Sequence, residues 1–139
     1  MENRKLNDKY RQIAEKLIQS EPDLNYIKNS NVRIAYLESD SAKKNGDKVV
    51  HGECERVQSK NKWAIDYDFT ITLFSENNRG MTDEQIKILI MHELYHVGID
   101  RADDGKESYS IIKHDLEDFK AIIDRYGTDW AKVENVVQA

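Results

Sequence analysis

Residues 88–99 read ILIMHELYHVGI, and this segment is the most informative part of the sequence. Nearly every position is apolar, which is typical of a helix that is packed on all sides. Glu93 is its only acidic residue, and at about 100° per residue it falls within the apolar stripe of Ile86, Leu89, Ile90, Leu94 and Val97. Burying a carboxylate there is costly unless it is paired or lies beside a cation. The segment therefore predicts a buried helix in which the acid serves a chemical purpose.

The five residues His92-Glu93-Leu94-Tyr95-His96 form an H-E-x-x-H motif. On a helix, the two histidines lie one turn apart and about 40° apart around the axis, so both imidazoles can reach one metal ion. Glu93 lies beside them, where it can act as general base on a water bound to that metal. The alternative is a pair of core histidines hydrogen-bonded to backbone, with Glu93 reaching solvent at the domain edge.

A zinc site of this kind needs a third protein ligand. The extended form of the motif fails, because Ile99 and Ala102 occupy the glycine and third-histidine positions. His114 follows His96 by 18 positions and is the expected third ligand, with Glu117 as its competitor. We therefore predict one Zn²⁺ per chain, held by three histidines: His92, His96 and His114.

Three further residues are candidates for supporting roles. Asp115 and Asp118 follow the predicted third ligand and could orient a ligand imidazole through its free N–H group. Asp115 could equally cap the last helix. Tyr109 lies between the second and third histidines and is the best-placed donor for an oxyanion.

The helices are predicted from apolar periodicity and from their end signals. Thr82 and Gln85 fit a capping box at the start of the motif helix, and Gly98 is a plausible residue for its end. A polar loop is expected from Asp100 to Glu107, and Gly127 would stop the last helix. The predicted helices span Leu6–Ser20, Asp83–Val97 and Asp115–Tyr126.

The strands are predicted between the first two helices. Tyr67, Phe69, Ile71 and Leu73 alternate with polar residues, as in a half-buried strand, and a bulge is possible at Gly52. Sequential strands with short connections favour an antiparallel meander. The predicted strands span Val32–Leu37, Val49–Val57 and Trp63–Phe74. We therefore expect an α+β fold in one domain covering residues 1–139, with a small, mainly antiparallel three-stranded sheet.

Composition narrows the functional classes. The chain has 139 residues, of which 34% are charged, and 21 basic against 26 acidic residues give a net charge of −5. An excess of acid does not favour a nucleic-acid partner. Cys54 is the single cysteine, which excludes a disulfide framework. No apolar run suggests a signal peptide or a membrane span, and a reducing, cytoplasmic compartment is expected.

The segment from Thr82 to Trp130 resembles the phage metallopeptidase family. The matching features are the HELYH helix at 92–96, the acidic loop from Asp100 to Gly105, the KHDLEDF segment at 113–119 and the YGTDW segment at 126–130. The resemblance implies a small zincin encoded by phages or prophages, with His92, His96 and His114 as zinc ligands and Glu93 as catalytic base. A more distant similarity is to SprT-like zincins, although Asp115 stands here where those proteins usually have glycine.

The predicted function is zinc-dependent hydrolysis of peptide bonds, with a peptide or protein as substrate and Tyr67–Phe74 as a strand on which it could pair. An alternative from another class is a zinc-stabilised binding module of phage origin without hydrolytic activity. A zinc hydrolase acting on a non-peptide amide is a third possibility. The substrate, the cleavage specificity and the oligomeric state are not predicted.

Overall fold

The computed structural model describes residues 3–113, and these form an α+β fold. Two short 3₁₀ turns, Pro22–Leu24 and Ser59–Asn61, accompany the longer elements. In chain order, the helices and strands are β1 (Arg4–Leu6), α1 (Asp8–Ser20), α2 (Asn25–Lys28), β2 (Ile34–Ser39), β3 (Lys44–Asn45), β4 (Lys48–Val49), β5 (Gly52–Arg56), β6 (Phe69–Phe74), α3 (Asp83–Leu94), β7 (Val97–Arg101) and β8 (Glu107–Ile111).

The main sheet is mixed and has four strands within the described residues, in the order β1-β2-β6-β5. The strands β2 and β6 run parallel, with Ile34 opposite Phe69 and Ser39 opposite Phe74. The two outer pairings, β1 with β2 and β5 with β6, are antiparallel. The prediction of a three-stranded antiparallel meander is therefore wrong. The most apolar strand, β6, takes a central position because residues on both of its faces are buried, including Ile71, Thr72, Leu73 and Phe74.

The core lies between the sheet and the helices α1 and α3. The side chains of this core are almost completely removed from solvent, and burial of apolar surface supplies most of the driving force for folding. Among its most buried side chains are Ala14, Leu24, Phe69, Ile71, Leu73, Ile90, Leu94 and Val97. Trp63, in the loop before β6, lies outside this core and is 88% exposed.

The start of α3 is confirmed, because the capping box forms as predicted. The Thr82 hydroxyl oxygen accepts from the Gln85 amide at 3.2 Å, and the Gln85 side-chain oxygen accepts from the Thr82 amide at 2.9 Å. Asp83 and Glu84 add negative charge in the first turn, where it interacts favourably with the positive end of the helix dipole. The local sequence alone therefore sets where this helix begins.

The end of α3 differs from the prediction. The helix ends at Leu94, three residues before the expected Val97, and Gly98 belongs to β7. The expected polar loop, Asp100–Glu107, is the tip of an antiparallel hairpin, with residues 102–106 as the connection. In this hairpin β7 pairs with β8 from Val97 opposite Ile111 to Arg101 opposite Glu107. A side chain at position 98 would press into this pairing, since an added Cβ would lie 2.6 Å from the Ser110 hydroxyl oxygen.

Elsewhere the predicted bounds shift by a few residues. The first helix begins at Asp8, two residues after the predicted Leu6, with Asn7 as its N-cap, and Leu6 belongs instead to the edge strand β1. The strand β6 is shorter than predicted and begins at Phe69. Gly52 pairs regularly with Leu73, so there is no bulge at that position. The predicted last helix, Asp115–Tyr126, lies outside the described residues.

Candidate metal centre

The two histidines of the motif lie side by side at the end of α3. His92 is in the last turn of the helix, and His96 is in the turn that follows it. Their ring centroids are 5.2 Å apart and the ring planes meet at 71°. The expected closeness of the two imidazoles therefore holds, although the helix does not continue through His96.

Hydrogen bonds orient His96 from the chain that follows β8. The His96 Nδ1 atom is 2.6 Å from the Ile112 carbonyl oxygen, and the Ile112 amide donates to the His96 carbonyl oxygen at 2.8 Å. Because a carbonyl oxygen only accepts, Nδ1 carries the proton in this contact, and the lone pair of the neutral ring is then on Nε2. A backbone carbonyl on the distal nitrogen is the usual arrangement around a metal-binding histidine.

Glu93 is buried, with 3% of its surface exposed. It lies against the start of β5, where a Cβ added to Gly52 would be 3.3 Å from the Glu93 carboxylate oxygen Oε2 and 3.3 Å from the Thr72 carbonyl oxygen. The missing side chain at position 52 leaves room for the carboxylate. The burial of Glu93 that was inferred from the helical wheel is confirmed.

Cys54 lies two residues further along β5 and faces the core. Burial raises the pKa of the Cys54 thiol, and the nearby charges of Glu93 and Glu55 raise it further. The thiol therefore stays protonated at neutral pH, and Cys54 has the properties of a small apolar core residue.

The other predicted metal-site residues lie outside the described residues. These are His114, its competitor Glu117, and the two supporting candidates Asp115 and Asp118. Within residues 3–113 there is no cluster of three or more His, Cys, Asp or Glu side chains placed to hold a metal ion. The adjacent imidazoles fit zinc, which takes three protein ligands and a water in its catalytic sites. The described residues include the two neighbouring imidazoles of His92 and His96 and the buried carboxylate of Glu93.

The environment of Tyr109 does not favour a role in stabilising an oxyanion. The Tyr109 hydroxyl donates to the Glu107 carboxylate at 2.9 Å, and its ring packs edge-on against Phe69 at 5.7 Å between centroids. Burial, followed by the hydrogen bond to Glu107, raises the pKa of Tyr109 to about 12. Its hydroxyl proton is thus engaged by a carboxylate of the same strand, while its ring packs β8 against the sheet.

His51 is hydrogen-bonded within the fold. Its Nδ1 atom is 2.9 Å from the Asn78 side-chain oxygen, and the Asn78 side-chain amide donates to the His51 carbonyl oxygen at 3.0 Å. Asn78 itself is 6% exposed. These bonds tie the segment before β5 to the turn before α3.

A cavity of about 430 Å³ lies at the other end of α3. It is lined by residues of α1 and of the first turns of α3: Lys9, Ile13, Lys16, Leu17, Ser20, Asp83, Glu84 and Lys87. The histidines are at the opposite end of the helix, so this cavity is separate from the candidate metal centre.

The family model described as "Putative phage metallopeptidase" matches residues 4–139. The chain belongs to that family. No curated protein and no solved structure matches the chain. Membership of a metallopeptidase family agrees with the resemblance noted in the HELYH and KHDLEDF segments. Among residues 3–113, no helix is long and apolar enough to cross a bilayer.

The sequence of this phage metallopeptidase singled out the two histidines and Glu93 as candidates, and it did not single out three residues that contact this segment. Gly52 makes room for Glu93, the Ile112 backbone orients His96, and Tyr26 bonds to the chain on both sides of His96. A glycine inside a predicted strand was a detectable signal of close approach. The other two act through contacts between distant parts of the chain, which no local pattern reports.

Proposed function

We propose that this member of the family is a zinc-dependent peptidase in which His92, His96 and His114 bind the metal and Glu93 is the general base. The observation that carries the proposal is the pair of imidazoles 5.2 Å apart, with the Nδ1 atom of His96 bound to a carbonyl oxygen. That contact leaves Nε2 as the ligand atom. The buried Glu93 is the next residue after His92.

The described chain supports His114 as the third ligand through the position of Ile112. The Ile112 backbone is hydrogen-bonded twice to His96, and His114 is only two residues further along. Two residues of extended chain span at most ~7 Å, a length compatible with His114 as the third ligand.

The chemistry would be hydrolysis of a peptide bond. Zinc, when bound, would lower the pKa of a water molecule towards ~7 and polarise the substrate carbonyl. Glu93 would accept the proton from the attacking water and pass it to the leaving amine. The carboxylate is buried beside Gly52, which limits the positions it can take. We further propose a phage or prophage origin and action in the host cytoplasm.

A peptide substrate would pair with β5 rather than with β6. The expectation that Tyr67–Phe74 could pair with substrate is wrong, because β6 is hydrogen-bonded to β2 on one side and to β5 on the other. Within the described sheet, β5 is an edge strand, and its first residue, Gly52, lies against Glu93. An extended peptide added at this edge would pass close to the general base.

The first test is Glu93→Gln. Glutamine preserves the shape of the side chain but cannot accept the water proton, so we expect zinc content and fold to be retained and peptide hydrolysis to be lost. Zinc stoichiometry, circular dichroism and cleavage of a peptide library would be measured for both proteins. Equal hydrolysis by the variant would refute the catalytic role. Loss of zinc from the variant would favour the alternative, a zinc-stabilised binding module in which Glu93 closes the site.

The second test is His114→Ala, with Glu117→Ala as the matched control. We expect about one zinc per chain in the wild type and in the control, and a large loss of affinity in His114→Ala because one of three protein ligands is gone. Metal analysis after dialysis against a weak chelator would give the stoichiometry. The reverse pattern, with zinc lost only in Glu117→Ala, would make Glu117 the third ligand.

A further inference from the structure

The end of α3 falls between the two histidines of the motif. The helix ends at Leu94, and the strand β7 begins at Val97, so His96 lies in the two-residue connection between them. The His96 amide donates to the Glu93 carbonyl oxygen at 3.1 Å, which is a tighter turn than the α-helical pattern. The position of His96 relative to His92 therefore depends on what holds this turn.

Tyr26 of α2 bonds to the chain on both sides of His96. Its hydroxyl donates to the Val97 carbonyl oxygen at 2.6 Å, with the Leu94 carbonyl oxygen as a second acceptor at 3.3 Å. The last carbonyl groups of a helix have no partner within it, and a buried one needs a donor from elsewhere. Leu94 and Val97 are both fully buried. The Tyr26 hydroxyl meets this need at the point where the helix turns into the strand.

The hydroxyl of Tyr26 is itself well suited to be a constant donor. Burial raises the pKa of Tyr26 well above its ordinary value, so the proton is present throughout the neutral range. Tyr26 belongs to a short helix whose next residue, Ile27, is 5% exposed and anchored in the core. The donor is therefore anchored in the core.

We propose that Tyr26 is a positioning residue for the metal ligand His96. It stops α3 at Leu94 and fixes the main chain on one side of His96, while the Ile112 carbonyl oxygen fixes the imidazole ring on the other. The inference rests on the proposed function, because it takes His96 as a zinc ligand. It extends that proposal, because it makes the geometry of the histidine pair depend on a residue 70 positions away in the sequence.

The test is Tyr26→Phe, which removes one oxygen atom and retains the ring. We expect zinc affinity, measured by competition with a chromophoric chelator, to fall about 10-fold, as for losses of groups that support a metal ligand. The visible spectrum of the Co²⁺-substituted protein should also change, because it reports the arrangement of the ligands. The matched control is Ile27→Val, which removes one methyl group from the same short helix and should lower the melting temperature with unchanged zinc affinity and Co²⁺ spectrum.

The outcomes separate the two proposals. Absence of zinc binding in the wild type refutes the proposed function. Zinc binding by Tyr26→Phe equal to that of the wild type, with an unchanged Co²⁺ spectrum, refutes the positioning role alone. An equal loss of affinity in Ile27→Val also refutes it, since general destabilisation would then be the cause.

A measurement on the wild type covers the case in which Tyr26→Phe does not fold. If Tyr26 fixes the turn before the metal binds, its hydroxyl proton should exchange slowly with solvent in the zinc-free protein. Proton NMR of the chelated protein would detect that resonance. Exchange at the rate of a free tyrosine would overturn the positioning role.

Discussion

At the scale of single residues, Gly52 lies against the carboxylate of Glu93, the proposed general base. A Cβ at position 52 would lie 3.3 Å from the Glu93 Oε2 atom and 3.3 Å from the Thr72 carbonyl oxygen, closer than almost all real Cβ contacts. Thr72 belongs to the central strand β6, whose backbone cannot move easily, so the Glu93 carboxylate would have to shift instead. Gly52 is thus required by space, since its φ is not among the positive values found at Gly46, Gly80 and Gly105.

We expect Gly52→Ala to destabilise the protein by about 1–3 kcal/mol, as for other insertions into packed sites. The loss should be smaller when the alanine is introduced into Glu93→Ala, because the shortened side chain leaves room for the new methyl group. Thermal unfolding of the four proteins in this double-mutant cycle would give the coupling free energy between the two positions. Equal costs in both backgrounds would mean that the methyl group strains only the strand.

At the scale of elements, the hairpin of β7 and β8 connects α3 to the chain that precedes His114. Glu107 joins this hairpin to the rest of the molecule. Its carboxylate accepts from Arg101 at 2.8 Å, from Tyr109 at 2.9 Å and from the Asn31 amide at 3.1 Å. The hydrogen bond from Arg101 is the main cause that lowers the pKa of Glu107, with Tyr109 and the Asn31 amide adding to it.

We expect Glu107→Gln to lower the melting temperature at pH 7, and the difference from wild type to shrink in acid. The folded pKa lies below the ordinary value of 4.5, so the unfolded chain takes up the proton first as the pH falls. The contribution of the carboxylate is therefore complete above about pH 4.5 and is lost as the pH falls through the folded pKa. Melting curves between pH 3 and 7 would test this, with the exposed hairpin-turn variant Asp103→Asn as a control that should match the wild type. A constant difference at all pH values would contradict it.

At the scale of the whole molecule, the described core forms without any metal ligand in it. Side chains from α1, the sheet and α3 bury one another, including Leu17, Phe69, Leu73 and Ile90. A structural zinc supplies folding free energy outright, whereas a catalytic zinc sits on a preformed scaffold. The extent of this core favours the second arrangement.

We expect the zinc-free protein to stay folded, with a lower melting temperature and an unchanged helical signal in circular dichroism. Exchange protection should be lost first at the Ile112 amide, because its acceptor is the carbonyl oxygen of His96. The amide of Ile71 in the central strand would serve as the internal reference. Loss of the helical signal on chelation would mean that the metal is structural, and it would count against the catalytic proposal.

The sequence by itself determined the features that depend on neighbours within a few residues. The capping box of Thr82 and Gln85 places the start of α3. The spacing of His92 and His96 correctly predicted that the imidazoles lie close together, although His96 is in the turn after the helix. The apolar stripe around Glu93 correctly indicated its burial. Each of these follows from the helical repeat, which relates residues three or four positions apart.

Only the tertiary structure decided where α3 ends, which strand lies at the edge of the sheet and what orients His96. The periodicity of residues 83–97 allows a longer helix, but the Tyr26 hydroxyl supplies a donor to Leu94 and Val97 from far away in the sequence. The parallel pairing of β2 with β6 likewise depends on contacts between distant parts of the chain. After β2 the chain forms the edge strand β5, and β6 then returns to lie between β2 and β5. The physical reason is that a chain turns where a distant group satisfies its buried backbone, and local patterns carry no information about that group.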